Sequence, residues 1–432
     1  MKKTTGTLIL SLLPLFILAE RKALESEVTA REAGRYAIGI IPALNFDADL
    51  GFRYGGVFNF FDYGQSKNNI VYDQYLQVRL INSTGGTLLA QGIYESSTLL
   101  KNKFIVAETS YLVDTKMDFF GFNGSQSIYH AAFSDPKHPQ FISKDYYTYR
   151  RAKIRLRLDV QHPIKQSNWR LLTGYTFNHF KAQPNSLVDE NSPVSSLFEN
   201  YKTWGLIRKD EMEGGHISLL TLGLIYDTRN QNCYCTKGVW LEGLVYYAPQ
   251  WFGSQSFSKL VLTYRQHKSF INEQLTFSLR ISSQQKLTGH IPFYMLPIIF
   301  DSRLKQDGIG GASSLRGAFR NRLAADGFVI SSVETKLRFW QFNLFKQDFF
   351  FSAALFYDNA YITQSYQLDL SQVPDKDLSI HFNQGKQRVH HSWGPGLYIV
   401  FNKNNIITVN YGFVTNKQDG RGGLYIGSSL LF

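Results

Sequence analysis

The run GIGGASSLRGAFRNR, residues 308–322, sets a cluster of glycines ahead of three arginines, Arg316, Arg320 and Arg322. Glycine-rich backbone beside cations is suited to phosphate. A P-loop, however, needs Gly-Lys-Ser/Thr after its glycines, and none follows here. Arg316 could serve a ligand, a nucleic acid or another part of this same chain, or stand exposed in the loop. Arg320 and Arg322 are expected to be exposed loop charges.

Other reactive side chains are few. Cys233 and Cys235 form a C-x-C pair in NCYCTKG. That is not zinc spacing and lacks the remaining ligands, so two thiols in a turn, free or oxidised together, are expected. His390 and His391 are adjacent, and adjacent residues of a strand point to opposite faces. They suit lumen or interfacial positions better than a metal. The chain has no G-x-S-x-G, no H-E-x-x-H and no paired-carboxylate motif, so a nucleophile with its base is not in view. No enzyme, no metal and no cofactor is expected.

The elements that hold these residues come next. The chain has 432 residues, with 25 Tyr, 34 Phe and 34 Gly but only 4 Met. Its mean hydropathy is slightly negative. Met1-Lys2-Lys3 and the apolar run Gly6 to Ala19 read as a secretory signal over residues 1–19, with cleavage near Ala19 or as late as Ala23. Its apolar run is short for a membrane span. Residues 20–35 read as a short periplasmic tether, and 36–432 as one barrel. The formal charge of +12 is spread along alternating segments, so no nucleic acid partner is expected.

Tyr146 to Gln161 shows the pattern that sets the fold class. Ala152, Ile154, Leu156, Leu158 and Val160 share one face; Arg151, Lys153, Arg155, Arg157, Asp159 and Gln161 share the other. Side chains of a strand alternate between faces. The same alternation recurs in 274–282, 328–340, 393–402 and 406–413. Segments of about ten residues can cross an outer membrane as tilted strands. Backbone polar groups in hydrocarbon must pair internally, so such strands close into a barrel. An all-β, antiparallel transmembrane barrel of about sixteen strands is expected, with outer-membrane lipid as its surroundings. Tyr146, Tyr147, Trp340, Trp393 and Phe432 are expected in interfacial girdles. Alternation is weakest over 69–114. The connections 115–145, 182–214, 285–327 and 362–389 are expected to be loops.

Several segments, in order, resemble one family. The chain is similar to the barrel of the BamA/TamA outer-membrane assembly factors, the bacterial surface antigen family. That family carries V/L-R-G-F/Y in the long loop between strands eleven and twelve. Here the matching residues are Leu315, Arg316, Gly317 and Phe319, with Ala318 in the usual aromatic slot. DFFGFNG, LGLIYDTRN, SSVETKLRF, FYDNA, WGPGLYIVFN and the terminal GGLYIGSSLLF resemble further family pieces. The resemblance implies a loop folded into the lumen, with Arg316 meeting inward carboxylates at Glu334 and Asp358. Strand parity places both of these on the inward face. The family's periplasmic repeat domains (POTRA) have no counterpart in this sequence.

A seam between the first and last strands is the expected working part. Pro42 cannot donate a ladder hydrogen bond, and Gly39 lies earlier on the same strand. Gly423 and Gly427 weaken pairing on the last strand, which ends at Phe432. The expected function is insertion or translocation of proteins at the bacterial outer membrane. Its partners would be unfolded outer-membrane proteins and a periplasmic or outer-membrane protein. A passive pore or a purely structural barrel is the alternative.

Overall fold

A computed structural model describes residues 35–64, 72–185, 196–231, 234–303, 306–344, 347–401 and 405–428. Sixteen antiparallel strands form its wall. The first five are β1 (Tyr36–Asp47), β2 (Gly51–Asp62), β3 (Gln74–Ser83), β4 (Thr87–Ser96) and β5 (Phe104–Asp118). Then come β6 (Thr148–Pro163), β7 (Trp169–Gln183), β8 (Gly214–Asp227), β9 (Gly238–Ala248) and β10 (Phe257–Phe270). The last six are β11 (Leu275–Gly289), β12 (Gly327–Leu344), β13 (Gln347–Gln364), β14 (His390–Phe401), β15 (Asn405–Val414) and β16 (Gly423–Gly427). Each pairs with its neighbours in sequence, and β16 returns to β1, so the sheet closes. Closure leaves no free sheet edge to face lipid. No helix of the described residues is long and apolar enough to cross a membrane.

Strand β6 shows how the sequence builds this wall. Ile154, Leu156 and Leu158 are exposed on the outside, while Arg151, Lys153, Arg157 and Asp159 are buried inside. On the outside the apolar face meets lipid; on the inside the charges pair with one another across strands. Arg151, for instance, donates to Asp114 of β5 at 2.7 Å.

The long connections, β5–β6, β7–β8, β11–β12 and β13–β14, all leave the same end of the barrel. In outer-membrane barrels the longer loops are extracellular and the turns periplasmic. Here the loops pack on one another into a dome with its own aromatic core. Phe119 lies edge-on to Phe198 and Tyr201 at 5.6 and 5.1 Å between ring centres. Helix α1 (Leu197–Thr203) enters this core behind a capping box: Glu199 N donates to Ser196 Oγ, and Ser196 N to Glu199 Oε2. Such a cap is worth about 1 kcal/mol. Helix α2 (Asp375–His381) closes the far side.

Two expectations need correction here. Tyr146 and Tyr147 are not girdle residues but lie buried in the dome. Strand β6 begins only at Thr148, so both belong to the preceding loop, where Asn200 Nδ2 donates to Tyr146 and the Tyr147 hydroxyl donates to His130 O. Trp340 and Trp393 do face outward and exposed. The loop 290–326 also holds a two-stranded ribbon, Ile298–Ile299 against Gln306–Asp307. Strands of two residues are too short to show a period. Phe432 and Cys233 lie outside the described residues. Cys235 is buried, its Sγ 3.3 Å from Asn230 Oδ1 and from Lys237 O.

Candidate functional site: the lumenal arginine and the seam

The β11–β12 loop turns back into the barrel and carries Leu315 and Arg316 with it, each at most 2% exposed. Two features let the backbone come this close to the wall. Gly317 has φ 94°, a left-handed conformation that disfavours side chains. A Cβ on it would sit 2.5 Å from the Gly412 carbonyl oxygen, and one on Gly412 would sit 2.4 Å from that of Arg316. Loop and β15 therefore touch through two glycines.

Strands β12 and β13 present Glu334 and Asp358 inward, 1% and 0% exposed. Arg316 Nε donates to Asp358 Oδ2 at 2.8 Å and its Nη2 to Oδ1 at 2.9 Å. Nη1 donates to Glu334 Oε2 at 3.0 Å. The backbone N–H of Arg316 adds a contact to Asp358 Oδ2 at 3.2 Å. The guanidinium also lies over the Phe356 ring, 3.4 Å from its centre. A planar fork that meets one carboxylate through two parallel bonds fixes orientation as well as distance. Removing one partner of a buried pair costs about 3–5 kcal/mol, because the other charge is left in a poor medium.

Ala318 and Phe319 explain the shifted aromatic. Ala318 is 1% exposed and forms a bridge to Gly420. Its side chain lies in a cluster of buried apolar residues with Leu315, Leu323 and Ala360, so a ring at position 318 would have to displace packed neighbours. Phe319 points the other way and stacks on Phe120 at 5.1 Å, beside Tyr129 at 4.8 Å. It thereby ties the loop to the dome.

Arg320 and Arg322 correct the expectation of exposed charges. Arg320 reaches Asp114 of β5 at 3.3 Å, and Arg322 is 1% exposed, donating to Gln418 O and Ser127 O at 2.7 Å each. Burial pulls the Arg322 guanidinium down to about 10, which leaves it charged at neutral pH. Neither role was legible, since Asp114 lies 206 residues away and a backbone carbonyl leaves no mark in the sequence. Phe356 stood inside a motif, FYDNA, but no pattern marked it as the floor under Arg316.

His390 is fully buried, with Nδ1 2.8 Å from Asp419 Oδ1, while His391 faces outward beside the Tyr357 hydroxyl at 2.8 Å. The opposite-face expectation describes this pair. Among the described residues no cluster of His, Cys, Asp or Glu has the arrangement of a metal site.

The seam lies close to the arginine. Gly317 N donates to the Tyr425 hydroxyl at 3.0 Å, and Gly422 N donates to Gly317 O at 3.1 Å. The loop motif thus holds β16 and the turn leading into it. Among the described residues β16 meets β1 at Phe46↔Ile426 and Asp47↔Tyr425. On its other side β1 is in register with β2 from Tyr36 to Asp47. Gly39 and Pro42 fall in the β1 run without a described β16 partner, opposite Asn59 and Gly56 of β2. Gly423 and Gly427 stand opposite Gly412 and Thr408 of β15.

Comparison with known proteins places this arrangement. The family model of the Omp85 superfamily domain matches residues 109–428. Among solved structures, BamA from Haemophilus ducreyi lacking POTRA domains 1–3 is similar over 91% of this chain and 70% of that chain, with 13% identity and a TM-score of 0.57. CdiB from Escherichia coli is similar over 90% of this chain at 9% identity and a TM-score of 0.54. This chain spans 62% of that CdiB chain. At such identities the likeness shows the fold. No curated protein sequence matches the chain.

Proposed function

The chain belongs to the Omp85 superfamily, and from that premise we propose that it assists insertion or translocation of proteins at the outer membrane through the β1–β16 seam. The superfamily's members handle protein substrates at that membrane. The observation that carries the reading is the hold of the Arg316 loop on the closing strand: Gly317 N donates to the Tyr425 hydroxyl of β16, and Gly422 N, in the turn before it, donates to Gly317 O. A strand edge released there offers N–H and C=O groups to an incoming strand by β-augmentation. Arg316, Glu334 and Asp358 would keep the loop seated while the seam works.

Photo-crosslinking in cells from Gly39 and Ile41 of β1 tests this. Precursors of outer-membrane or surface proteins are the expected catch. Capture of β16 alone, or of one stable partner, would set the proposal aside. A passive anion pore has the cationic lumen in its favour. The loop and dome lying across the lumen count against it, and steady conductance in a planar bilayer would be its sign.

A further inference from the structure

The lumen is not uniformly polar. The inward positions of an outer-membrane barrel are ordinarily polar. On β1 to β5 one inward row is apolar and lies among polar ones such as Arg79↔Gln91↔Ser110. Ala43, Ile81, Leu89 and Leu112 form one inward row, linked by the pairings Ala43↔Gly55↔Ile81↔Leu89↔Leu112. Ile41 and Val57 continue it one step below. All six line a single lumenal cavity of about 1210 Å³. Leu88, beside Leu89, faces outward and is 42% exposed. Strand β4 therefore carries a large aliphatic side chain on each face at this level.

Cations flank this row. Lys153 of β6 is in register with Leu112, and Arg155 and Arg157 follow on the same face. Arg53 and Arg79 come from β2 and β3. Ten cationic and five acidic side chains line the cavity, so its charge is positive. Arg155 is paired with Glu108, but the Nε atoms of Arg53, Arg79 and Arg155 are buried with no hydrogen-bond partner among the described residues.

We propose that this chamber binds an anionic lipid, its acyl chain on the aliphatic row of β1–β5 and its phosphate on the guanidiniums of Arg53, Arg79 and Arg155. The class of ligand follows from what each wall can satisfy. A guanidinium presents N–H groups matched to phosphate oxygens. The aliphatic row has no polar groups, and a hydrocarbon chain needs none. An extended polypeptide there would leave backbone N–H and C=O groups against Ile81, Leu89 and Leu112 without partners. The chamber also reaches the membrane-facing seam, since Pro42 and Phe46 of β1 and Tyr425 and Ile426 of β16 are part of its lining.

The test sets Leu89 against Leu88. A photoreactive amino acid replaces each in turn, and the full-length protein is placed in vesicles of phosphatidylcholine and phosphatidylglycerol in equal parts. The inward position, 89, is expected to capture phosphatidylglycerol in preference to phosphatidylcholine, and position 88 to capture both alike from the surrounding bilayer. Arg53→Gln with Arg79→Gln is expected to cut capture of phosphatidylglycerol at position 89 by about tenfold or more, as loss of charged hydrogen bonds implies. Capture at position 88 stays unchanged and serves, with heat-modifiable gel migration, as the check that the variant is folded. Equal capture of both lipids at position 89, no lipid there, or a polypeptide instead would each overturn the proposal.

Discussion

Arg316 gathers charge, orientation and position in one side chain. Its fork closes on Asp358, its remaining nitrogen on Glu334, and its face on Phe356. Arg316→Ala should lower stability by about 3–5 kcal/mol, read as a lower temperature for the heat-modifiable gel shift and faster proteolysis of the loop. Arg316→Lys keeps the charge and loses the fork, so it should fall between. Equal behaviour of Lys and wild type would remove the fork from the account. Ala318→Phe, which would restore the family's usual aromatic, should instead destabilise by about 1–3 kcal/mol through overpacking of the buried cluster around it. An unchanged gel shift would contradict that. The partners of Arg316 were readable because strand parity and a motif both pointed to them. Those of Arg320 and Arg322 were not, because a loop's landing place depends on the closed barrel and not on neighbours in sequence.

The barrel strands were readable wherever one face is lipid and the other charged, as in β6. Over β4 and β5 alternation fades for a physical reason: Leu89, Ile93, Val106 and Leu112 line the cavity, so both faces carry apolar residues. The dome was the least legible part. Its tyrosines and phenylalanines carry no period, and only the packing of four loops makes a core of them. That core also has a pH limit. His381, on α2, is 5% exposed, and burial lowers it to about 4. Below its ordinary value near 6.5 the unfolded chain binds the proton and the folded chain does not. Stability is therefore full above about 6.5 and is lost as pH falls toward about 4, by at most about 3 kcal/mol. Limited proteolysis of the loops should quicken across that window in wild type and change less in His381→Phe. Identical pH profiles for the two would show that His381 does not set the limit.

At the scale of the whole molecule, a closed wall surrounds an amphipathic chamber, capped by the dome and braced by one loop. The brace and the seam are joined through Tyr425, so the lock on Arg316 and the freedom of β16 are one mechanical question. Closing the seam covalently answers it most directly. Phe46 and Ile426 stand opposite each other, at a spacing that suits a disulfide between antiparallel strands. The measurement uses Phe46→Cys with Ile426→Cys in a background of Cys233→Ser and Cys235→Ser, with the photo-crosslinker at Ile41. With the disulfide formed, capture of client precursors should cease, and reductant should restore it. Undiminished capture through a stapled seam would contradict the gate.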